Sequence, residues 1–565
     1  MNNLTLQANP SPMTTVQTLT FSHLLNESVK KNGQRPALAF VGEEPLTYRQ
    51  LYEQIEALQA FLEKLGVKPG DRLAILSQNS PNWGVAYLAI VTMGAVVVPV
   101  LPDFSPAEVE NIMTHSGARI LFVSSGLRAK VDGFQSNRPE HIILTEDFSL
   151  QNPAENAAVY MPGDKPTQTY SADEEDVAAI IYTSGTTGKS KGVMLSQKNI
   201  CFTALQCGTV QPIGPEDRMM SILPLSHTYE NTIGFVFPLF NGASVYYLSK
   251  PPTPTILLPA LKLVKPTLML TVPLIIEKIY HNKIKPTFHK NRLTRFLYSF
   301  PPIRKKLNLL AGKKLRQTFG GALKFYGIGG AKLSETVEKF LIEARFPIAI
   351  GYGLTETAPL LAGSNPQNHR LQSTGPVLQG VTLKINEPDP VTGEGEIWAK
   401  GPNLMKGYYK EPELTEEVIT PDGWFRTGDL GIFDKDGFLS IRGRKKNVII
   451  GANGENIYPE EIESVINNFR FVTESLVIEE KGKLVALVHF NREEIEALYQ
   501  SVKHEIASIE DRIEEIQKDL HKYINARLNR NSQIQKVIAH WQPFHKTATQ
   551  KIKRFLYQHP EKGQA

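Results

Sequence analysis

Residues 182–193 carry the sequence Tyr-Thr-Ser-Gly-Thr-Thr-Gly-Lys-Ser-Lys-Gly-Val. Within it, the ten residues 183–192 contain five hydroxyl side chains, three glycines and two lysines. Glycine permits positive φ angles, so consecutive N–H groups can converge on one anion, and the hydroxyls and lysines add donors and positive charge. The apolar run Val177 to Tyr182 predicts a buried strand before this loop, and Val193 to Leu195 predicts another after it. The stretch therefore predicts a phosphate-binding loop between two strands of a sheet.

Two other interpretations of this loop fit less well. A flexible Gly/Thr linker would not be bounded by two apolar strands. A Walker A loop, G-x-x-x-x-G-K-[ST], matches Gly188-Lys189-Ser190 at its end, but its first glycine would fall on Thr183 and no helical pattern follows directly. The stretch is therefore interpreted as a phosphate loop of another kind.

Further motifs lie downstream of this loop. Residues 351–358, Gly-Tyr-Gly-Leu-Thr-Glu-Thr-Ala, contain Glu356, a hard oxygen ligand of the kind that Mg²⁺ on a nucleotide takes; the alternative is a solvated loop glutamate. Residues 423–431, Gly-Trp-Phe-Arg-Thr-Gly-Asp-Leu-Gly, place Asp429 between turn glycines, where it can accept hydrogen bonds from a ribose diol or form an Asx turn. The remaining motifs are Gly-Arg-Lys-Lys-Asn-Val-Ile-Ile at 443–450, Gly-Glu-Asn-Ile-Tyr-Pro-Glu-Glu-Ile-Glu at 454–463 and Thr-Ala-Thr-Gln-Lys-Ile-Lys-Arg at 547–554.

In this order and spacing, the motifs resemble those of the adenylate-forming superfamily, which contains acyl-CoA synthetases, peptide-synthetase adenylation domains and luciferases. Within it the chain is most similar to the bacterial long-chain fatty-acid–CoA ligases. The resemblance runs from about residue 20 to residue 554 and thus covers nearly the whole chain.

The resemblance implies a nucleotide site assembled from several motifs, with ATP as substrate and Mg²⁺ as cofactor. Glu356 would hold Mg²⁺, together with the Thr183 hydroxyl, and Thr355 would lie near the α-phosphate. Tyr352 would stack on the base, while Asp429 and Arg444 would bind the ribose hydroxyls. The implied nucleotide-binding residues are Thr183, Ser184, Gly185, Thr186, Thr187, Gly188, Lys189, Lys191, Gly329, Gly330, Ala331, Tyr352, Gly353, Asp429 and Arg444.

The resemblance also assigns residues to the acyl and CoA substrates and to catalysis. Lys551 corresponds to the catalytic lysine of adenylate formation, and Glu356 and Thr355 complete the catalytic group. His227, in Leu-Pro-Leu-Ser-His-Thr-Tyr-Glu at 223–230, would line the acyl pocket. Gly454 would lie beside the pantetheine channel, and Lys446 would be the hinge of a small mobile domain.

The implied reaction is activation of a medium- or long-chain fatty acid to an acyl-AMP, followed by transfer to CoA. Phosphoryl-transfer catalysis is chiefly positioning and electrostatic stabilisation, which suits a loop of N–H donors, a carboxylate for Mg²⁺ and a movable lysine. Two alternatives stay open: an enzyme that stops at acyl-AMP or uses a carrier-protein phosphopantetheine, and a non-catalytic fatty-acid or nucleotide binder.

The chain departs from the family pattern at several positions. Ser190 replaces the usual proline at the end of the loop, which leaves the loop more conformational freedom. Gln197 stands where the family has histidine, and Leu274 where it has arginine. Gln550 replaces the glycine before the catalytic lysine, which affects how the backbone delivers Lys551.

Composition and pattern predict an α/β protein of two domains. The chain has 565 residues, 41% hydrophobic and 21% charged, and its two cysteines fit a reducing compartment such as the cytoplasm. Alternating strand-like and helical runs over residues 34–270 predict α/β layers. We expect a large N-terminal domain at 1–442 with a β-rich subdomain at about 365–442, then a smaller mobile α+β lid at 443–565, and no regular structure in residues 1–18.

The lid contains a long amphipathic pattern at about 492–528. Apolar residues recur there at steps of three or four: Ile495, Leu498, Val502, Ile506, Ile509, Ile513, Ile516, Leu520 and Tyr523. Such a stripe predicts a helix that packs on its own domain, or alternatively forms a seam between two copies. The chain is accordingly expected to be a monomer or a homodimer.

A basic segment sets residues 278–316 apart from the rest of the chain. It holds twelve Lys and Arg and no Asp or Glu, interleaved with Phe288, Phe296, Tyr298 and Phe300. Cations beside apolar aromatics favour anionic membrane surfaces, at about 1 kcal/mol per cation. We hypothesise a peripheral membrane patch that admits fatty acid, tested by reversing Arg304, Lys305 and Lys306; the alternative is a solvated basic excursion. No nucleic-acid-binding motif accompanies the charge, so no nucleic-acid partner is expected.

Overall fold

The computed structural model describes residues 5–7, 18–134, 138–151, 158–184, 190–288, 291–451, 456–501, 509–529, 532–547 and 551–557. Six of the predicted site residues lie outside these ranges: Gly185, Thr186, Thr187, Gly188 and Lys189 of the phosphate loop, and Gly454. All other predicted site residues fall within the described part.

The strands of the chain's first half are β1 Thr5–Gln7, β2 Pro36–Phe40, β3 Leu46–Thr47, β4 Arg72–Leu76, β5 Val96–Val100, β6 Ile120–Val123, β7 His141–Leu144, β8 Leu150–Gln151, β9 Val177–Ser184, β10 Ser190–Ser196, β11 Arg218–Ser221, β12 Ser244–Tyr247 and β13 Leu268–Thr271. Those of the second half are β14 Phe325–Ile328, β15 Ile348–Gly353, β16 Leu360–Gly363, β17 Gly375–Pro376, β18 Thr382–Asn386, β19 Gly395–Lys400, β20 Gly407–Tyr408, β21 Phe425–Phe433, β22 Phe438–Arg444, β23 Ile449–Ile450, β24 Asn456–Ile457, β25 Val472–Glu480, β26 Lys483–Phe490 and β27 Lys536–Ala539.

The α-helices are α1 Phe21–Asn32, α2 Tyr48–Lys64, α3 Pro81–Thr92, α4 Pro106–Ser116, α5 Gln197–Val210, α6 Phe237–Phe240, α7 Pro254–Val264, α8 Pro273–Ile279, α9 Lys285–Phe288, α10 Arg292–Ser299, α11 Pro301–Thr318, α12 Glu335–Glu343, α13 Pro412–Val418, α14 Pro459–Ile466, α15 Arg492–Ser501 and α16 Ile509–Asn525. Short 3-10 turns occur at Ser125–Lys130, Thr355–Thr357, Lys445–Asn447 and Arg554–Leu556, and π-helical turns at Tyr229–Val236 and Tyr280–Ile284.

Two eight-stranded sheets form the large N-terminal part. One has the order β20-β10-β9-β5-β4-β6-β7-β8, and the other has the order β16-β15-β14-β13-β11-β12-β2-β3. Their central strands are parallel and buried on both faces, which is why β5 is a continuous apolar run rather than an alternating one. The predicted α/β layers are thus confirmed.

Helix α3 packs against strands of both sheets. It begins at a capped end, where the Ser80 hydroxyl accepts from the Trp83 N–H at 3.0 Å and Pro81 occupies the first turn. Residues 83–92 are all buried, as expected of a helix that is apolar all round. Gly84 allows the close approach, because a Cβ there would lie 2.9 Å from both Leu38 and Phe235.

The β-rich part is a six-stranded sheet in the order β1-β18-β19-β21-β22-β17. Its edge corrects one expectation: residues 5–7 are not irregular but form β1, which pairs antiparallel with β18. An edge strand offers unpaired N–H and C=O groups, and this polar N-terminal segment satisfies them. Strand β22 ends at Arg444, and the division of the chain at residue 443 remains a prediction.

The C-terminal part is smaller and holds a sheet of β25, β26 and β27 with helices packed on it. Helices α15 and α16 fall within the predicted amphipathic stretch, whose residues 502–508 lie outside the described part. Ile516, Leu520 and Ile524 of α16 are buried in the core of this C-terminal part. This packing favours the first of the two interpretations of the stripe. Across the described ranges, no helix combines the length and apolarity needed to cross a membrane.

Candidate active site

The predicted phosphate loop lies between β9 and β10, which form an antiparallel hairpin. Thr183 and Lys191 face each other across this hairpin, so they flank the loop residues that lie outside the described ranges. The 3-10 turn Thr355–Thr357 follows β15 and packs against β10. Folding therefore brings the first two motifs of the sequence, with Thr355 and Glu356, to one place.

Tyr408 links these two motifs. Its hydroxyl donates to Glu356 Oε1 at 2.9 Å, and the Lys191 ammonium lies 4.9 Å from the centre of its ring. Burial raises the pKa of Tyr408, and the Glu356 charge raises it further, so the phenol stays a donor to the carboxylate. Tyr408 was not among the residues predicted from the sequence, where its only signal is the Gly-Tyr-Tyr run at 407–409.

Asp429 and Arg444 pair across neighbouring strands. They are opposite each other in the β21–β22 register, and Arg444 Nε lies 2.8 Å from Asp429 Oδ1. The Tyr352 hydroxyl donates to Asp429 Oδ2 at 2.8 Å. An aromatic ring, a carboxylate and a guanidinium thus lie side by side, which is an arrangement able to hold a base and a ribose diol.

The electrostatics of Asp429 show that the motifs share one cleft. Burial raises the pKa of Asp429, whereas Arg444, the Tyr352 hydroxyl and Lys551 lower it and the Glu356 charge raises it. Coulomb energy falls with the distance between two charges, and solvent and salt screen distant charges further, so charges that act on Asp429 lie near it. Glu356, Lys551 and Asp429, which are far apart in sequence, therefore face the same space.

The backbone at Gly353 is packed against a carbonyl group. A Cβ at this position would lie 1.6 Å from the Pro359 oxygen, which excludes any side chain.

Gly329, Gly330 and Ala331 follow β14, the parallel neighbour of β15, so they reach the same sheet edge as Tyr352. Gly330 has a φ of 83°, which favours glycine.

Lys551 lies on a short C-terminal segment held by a bridge between Lys546 and Ile552. Partial desolvation in the cleft lowers its pKa, and Arg444 lowers it further, while Asp429 and Glu356 oppose this shift. The residue keeps access to solvent. With the residues described, its ammonium makes no ion pair, so it remains available to a bound anion.

Cations converge on this cleft. Partial burial lowers the pKa of Lys446, and the charges of Arg444, Lys191 and Lys551 lower it further. Four cationic side chains from three separate parts of the chain thus lie near one space, and the other three disfavour the charge of Lys446. Such a cluster is stabilised by a bound polyanion, for example a triphosphate.

His227 lies at the edge of the cleft. Burial lowers its pKa to about 4, and Lys551 contributes to the shift, so the imidazole is neutral at pH 7. Its Nδ1 accepts from the Tyr229 N–H at 3.2 Å. An apolar cavity of about 50 Å³ is lined by residues including Tyr229, Ile233, Phe237, Ala349 and Gly351, and His227 is not one of its lining residues.

A divalent cation would fit this site only in company with a nucleotide. The described part of the chain contains no cluster of three or more His, Cys, Asp or Glu side chains suited to a metal. Glu356 is a single carboxylate beside the phosphate loop, and Mg²⁺ commonly combines one or two carboxylates with phosphate oxygens. The residues present therefore fit a nucleotide-bound Mg²⁺.

Of the departures from the family pattern, Gln197 has a structural role that its contacts show. Gln197 is buried at the start of α5, where it donates to the Val91 carbonyl at 2.9 Å and accepts from the Phe21 N–H at 3.0 Å. It thereby ties α5 to α3 and α1. Leu274 lies exposed on α8, and Ser190 begins β10, whereas Gln550 lies outside the described residues.

The chain is similar in sequence to a known family and to named relatives. A family model described as AMP-binding enzyme matches residues 25–409. The long-chain-fatty-acid–CoA ligase FadD15 of Mycobacterium tuberculosis is 29% identical over 483 residues, covering 80% of this chain and 79% of its own. The long-chain-fatty-acid–CoA ligase ACSBG1 of Rattus norvegicus is 29% identical, covering 84% of this chain and 71% of its own.

Solved structures share the fold. The o-succinylbenzoate CoA synthetase of Bacillus subtilis, solved with ATP and a magnesium ion, aligns with a TM-score of 0.72 at 24% identity over 94% of this chain and 98% of that one. The anthranilate CoA ligase AuaEII, solved with anthranoyl-AMP, aligns with a TM-score of 0.76 at 21% identity over 96% of this chain and 97% of that one.

Proposed function

The chain belongs to the AMP-binding enzyme family, and from that membership we propose that it joins a medium- or long-chain fatty acid to CoA in two steps. In the first, a carboxylate oxygen attacks the α-phosphorus of ATP, and the bond to the β-phosphate breaks to release pyrophosphate. In the second, the CoA thiolate attacks the acyl carbon and AMP leaves. Relatives named long-chain-fatty-acid–CoA ligases support the choice of acid and thiol.

One observation carries this proposal: Lys191 lies over the ring of Tyr408, whose hydroxyl binds Glu356, and the Arg444–Asp429 pair, Lys446 and Lys551 act on one another's charge beside it. Both steps have phosphate groups as substrate or leaving group, and preorganised cations stabilise the negative charge that develops on them. A binder that did no chemistry would have no need of a lysine delivered from the far end of the chain.

We assign each residue a role in the first step. Tyr352, Gly329, Gly330 and Ala331 would hold the adenine, and Asp429 with Arg444 the ribose. The phosphate loop and Lys191 would hold the β- and γ-phosphates, with Thr355 at the α-phosphate. Lys551 would contact the α-phosphate as charge transfers to it. The residues assigned to the phosphates are those that bring positive charge or hydrogen-bond donors to the cleft.

The proposed cofactor is Mg²⁺ bound with ATP. Glu356, with the Thr183 hydroxyl, would provide the protein's ligands to it, and the ion would screen charge on the phosphates. The hydroxyl of Tyr408 orients the Glu356 carboxylate.

The second step requires the thiol to reach the acyl carbon from the side that Lys551 occupies. We propose that the C-terminal part rotates about Lys446, which lies in the 3-10 turn between β22 and β23. A hinge needs few residues that absorb a large dihedral change, and a short turn between strands meets this need. Gly454 would then border the pantetheine channel.

We further propose that the apolar cavity lined by Tyr229 and Ile233 receives the acyl chain. Its volume of about 50 Å³ is close to that of two water molecules at about 30 Å³ each, so an alkyl chain would enter only as side chains move. The π-helical turn Tyr229–Val236 forms one wall, and π-helical turns are frequent at functional sites. A neutral His227 places no charge against the alkyl chain.

A pyrophosphate-release panel across carboxylic acids of increasing chain length tests the proposed function. We expect release with fatty acids and ATP, and thioester formation on addition of free CoA. Thioester formation only with a carrier protein would favour the carrier-protein alternative. Tight ATP binding without pyrophosphate release for any acid would identify a non-catalytic binder.

Cellular location, oligomeric state and membrane contact complete the proposed function. We propose that the chain works in the cytoplasm, as a monomer or homodimer, and contacts a membrane through segment 278–316. The charge of that segment supports the last point.

Replacing Tyr408 by phenylalanine is expected to weaken MgATP binding about tenfold. The change removes the hydroxyl that orients Glu356 but keeps the ring beneath Lys191, and a hydrogen bond to a charged group contributes about 1.5–3 kcal/mol. Calorimetric titration of MgATP measures the effect without turnover. Tyr409→Phe is the matched control, and equal dissociation constants for the two variants would contradict the role given to Tyr408.

A further inference from the structure

The acidic residues of this chain avoid one long region. Residues 231–334 contain seventeen Lys and Arg but a single acid, Glu277. The Glu277 carboxylate accepts from the Ser334 N–H at 2.9 Å and is thus engaged within the protein. Helices α10 and α11 lie within this region and carry several cations. Neither helix contains an Asp or Glu that could neutralise them.

Helix α10 has two different faces. On its inner face the Tyr298 ring stacks on Phe288 with centroids 4.7 Å apart, and the Tyr298 hydroxyl donates to Asn308 Oδ1 at 2.9 Å. On its outer face Leu293 and Phe296, three residues apart, are 65% and 61% exposed. The helix is therefore anchored in a defined orientation that presents large apolar side chains to solvent.

The apolar patch continues into the turn before α11. Phe300 is exposed and its ring meets that of Phe296 edge-to-face, with centroids 5.0 Å apart. Ile303 of the first turn of α11 is also exposed. Isolated exposed hydrophobic residues are ordinary, but a contiguous group marks an interaction surface.

Cations flank this patch. Arg292 and Arg295 on α10 and Lys305 and Lys306 on α11 are all exposed. Arg304, in contrast, points inward and forms a bidentate pair with Glu343, with Nη2 to Oε1 at 2.8 Å. Arg304 therefore belongs to the scaffold, and reversing its charge, as the sequence alone suggested, would test folding rather than binding.

We propose that α10 and the first turn of α11 form a docking face for an anionic membrane surface. Leu293, Phe296 and Phe300 enter the headgroup–acyl boundary, and the flanking arginines and lysines contact anionic headgroups. The surface combines the two features that such a boundary recognises, since it is apolar at the centre and cationic at the rim. This assignment rests on the membrane contact proposed above for segment 278–316 and gives it to particular side chains, at a surface outside the catalytic cleft.

Other occupants fit the face less well. A second copy would bring like charges together with no acid on the same face to pair them. A nucleic acid would meet the cations, but the exposed leucine and phenylalanine side chains would gain little from its phosphates. Measuring whether the full chain binds lipid vesicles distinguishes a membrane from these other occupants.

Vesicle co-sedimentation tests the proposal. We expect the chain to bind phosphatidylcholine vesicles that contain phosphatidylglycerol, and to bind pure phosphatidylcholine vesicles much more weakly. Phe296→Ser should reduce the partition coefficient about tenfold, through loss of buried apolar area. Lys305→Glu with Lys306→Glu should reduce it by about fivefold or more per cation.

The controls lie outside the face. Val391→Ser removes a side chain that is 91% exposed on a turn of the β-rich part, and Lys435→Glu reverses a lysine of the same part; neither should change vesicle binding. Thermal unfolding and activity on a water-soluble acid should be equal in all variants, which separates this face from the proposed function. Vesicle binding that is absent, or unchanged in both face variants, would overturn the proposal. So would a dimer that Phe296→Ser dissolves, or oligonucleotide binding in place of vesicle binding.

Discussion

Replacing Lys551 by alanine is expected to slow adenylate formation about a thousandfold. The ammonium lies among Arg444, Asp429 and Glu356, whose charges all act on its pKa, and it makes no ion pair with the residues described. It is thus poised to stabilise charge that appears on the α-phosphate only as the bond to pyrophosphate breaks. An interaction made only in the transition state changes the rate of the step, and it changes the affinity for ATP in the ground state much less.

The Lys551→Ala experiment separates rate from binding. Rapid-quench measurement of pyrophosphate release should show the loss, while calorimetric titration should give an ATP dissociation constant close to that of the unaltered chain. Synthetic acyl-AMP with CoA should still yield thioester at a normal rate, because the thiol reaches the acyl carbon after Lys551 has left. Lys553→Ala, on the same segment, is the matched control. Normal pyrophosphate release from Lys551→Ala would refute the assigned role.

Replacing Gly353 by alanine is expected to have a large effect of a different kind. A Cβ at this position would lie 1.6 Å from the Pro359 oxygen and 2.7 Å from its carbonyl carbon, and a backbone group cannot rotate away as a side chain can. The strand end or the following turn must shift, at a cost of about 3 kcal/mol or more. The melting temperature should fall by at least about 2–3 °C, because the shift per kcal/mol decreases with the size of the unfolding unit.

The shift would also disturb the cleft, because Tyr352 precedes Gly353 and Glu356 follows it. We therefore expect ATP affinity to fall about tenfold or more, measured by titration below the unfolding temperature. Gly351→Ala is the matched control in the same motif, since its nearest neighbour would be the Leu360 side chain at 3.2 Å. Equal stability of the two variants would show that the Pro359 contact does not constrain this strand.

Much of the site could be predicted from sequence because its chemistry is held in short contiguous motifs. Glycines, hydroxyls and lysines within ten residues indicate a phosphate loop wherever they occur, and Asp429 between turn glycines was recognisable for the same reason. The strands around these motifs were predictable as well. Continuous apolar runs such as β5 have few ways to be buried except inside a parallel sheet.

Hydrogen bonds between residues that are far apart in sequence could not be predicted from local motifs. Tyr352 and Asp429 are 77 positions apart and Tyr408 and Glu356 are 52 apart, and no local pattern links the members of either pair. The N-terminal residues 5–7 likewise have no strand signal of their own, and become a strand because β18 offers a free edge.

The sequence by itself determined the class of fold, the order of the motifs and the types of residue in the candidate site, because local backbone preference and side-chain chemistry act over a few residues. Only the tertiary structure decided which side chains meet. Among the clustered cations it turned Arg304 inward to Glu343 and left Lys305 and Lys306 in solvent. The direction in which a side chain points depends on the helix or strand packed against it, and that neighbour is chosen by burial across the whole chain.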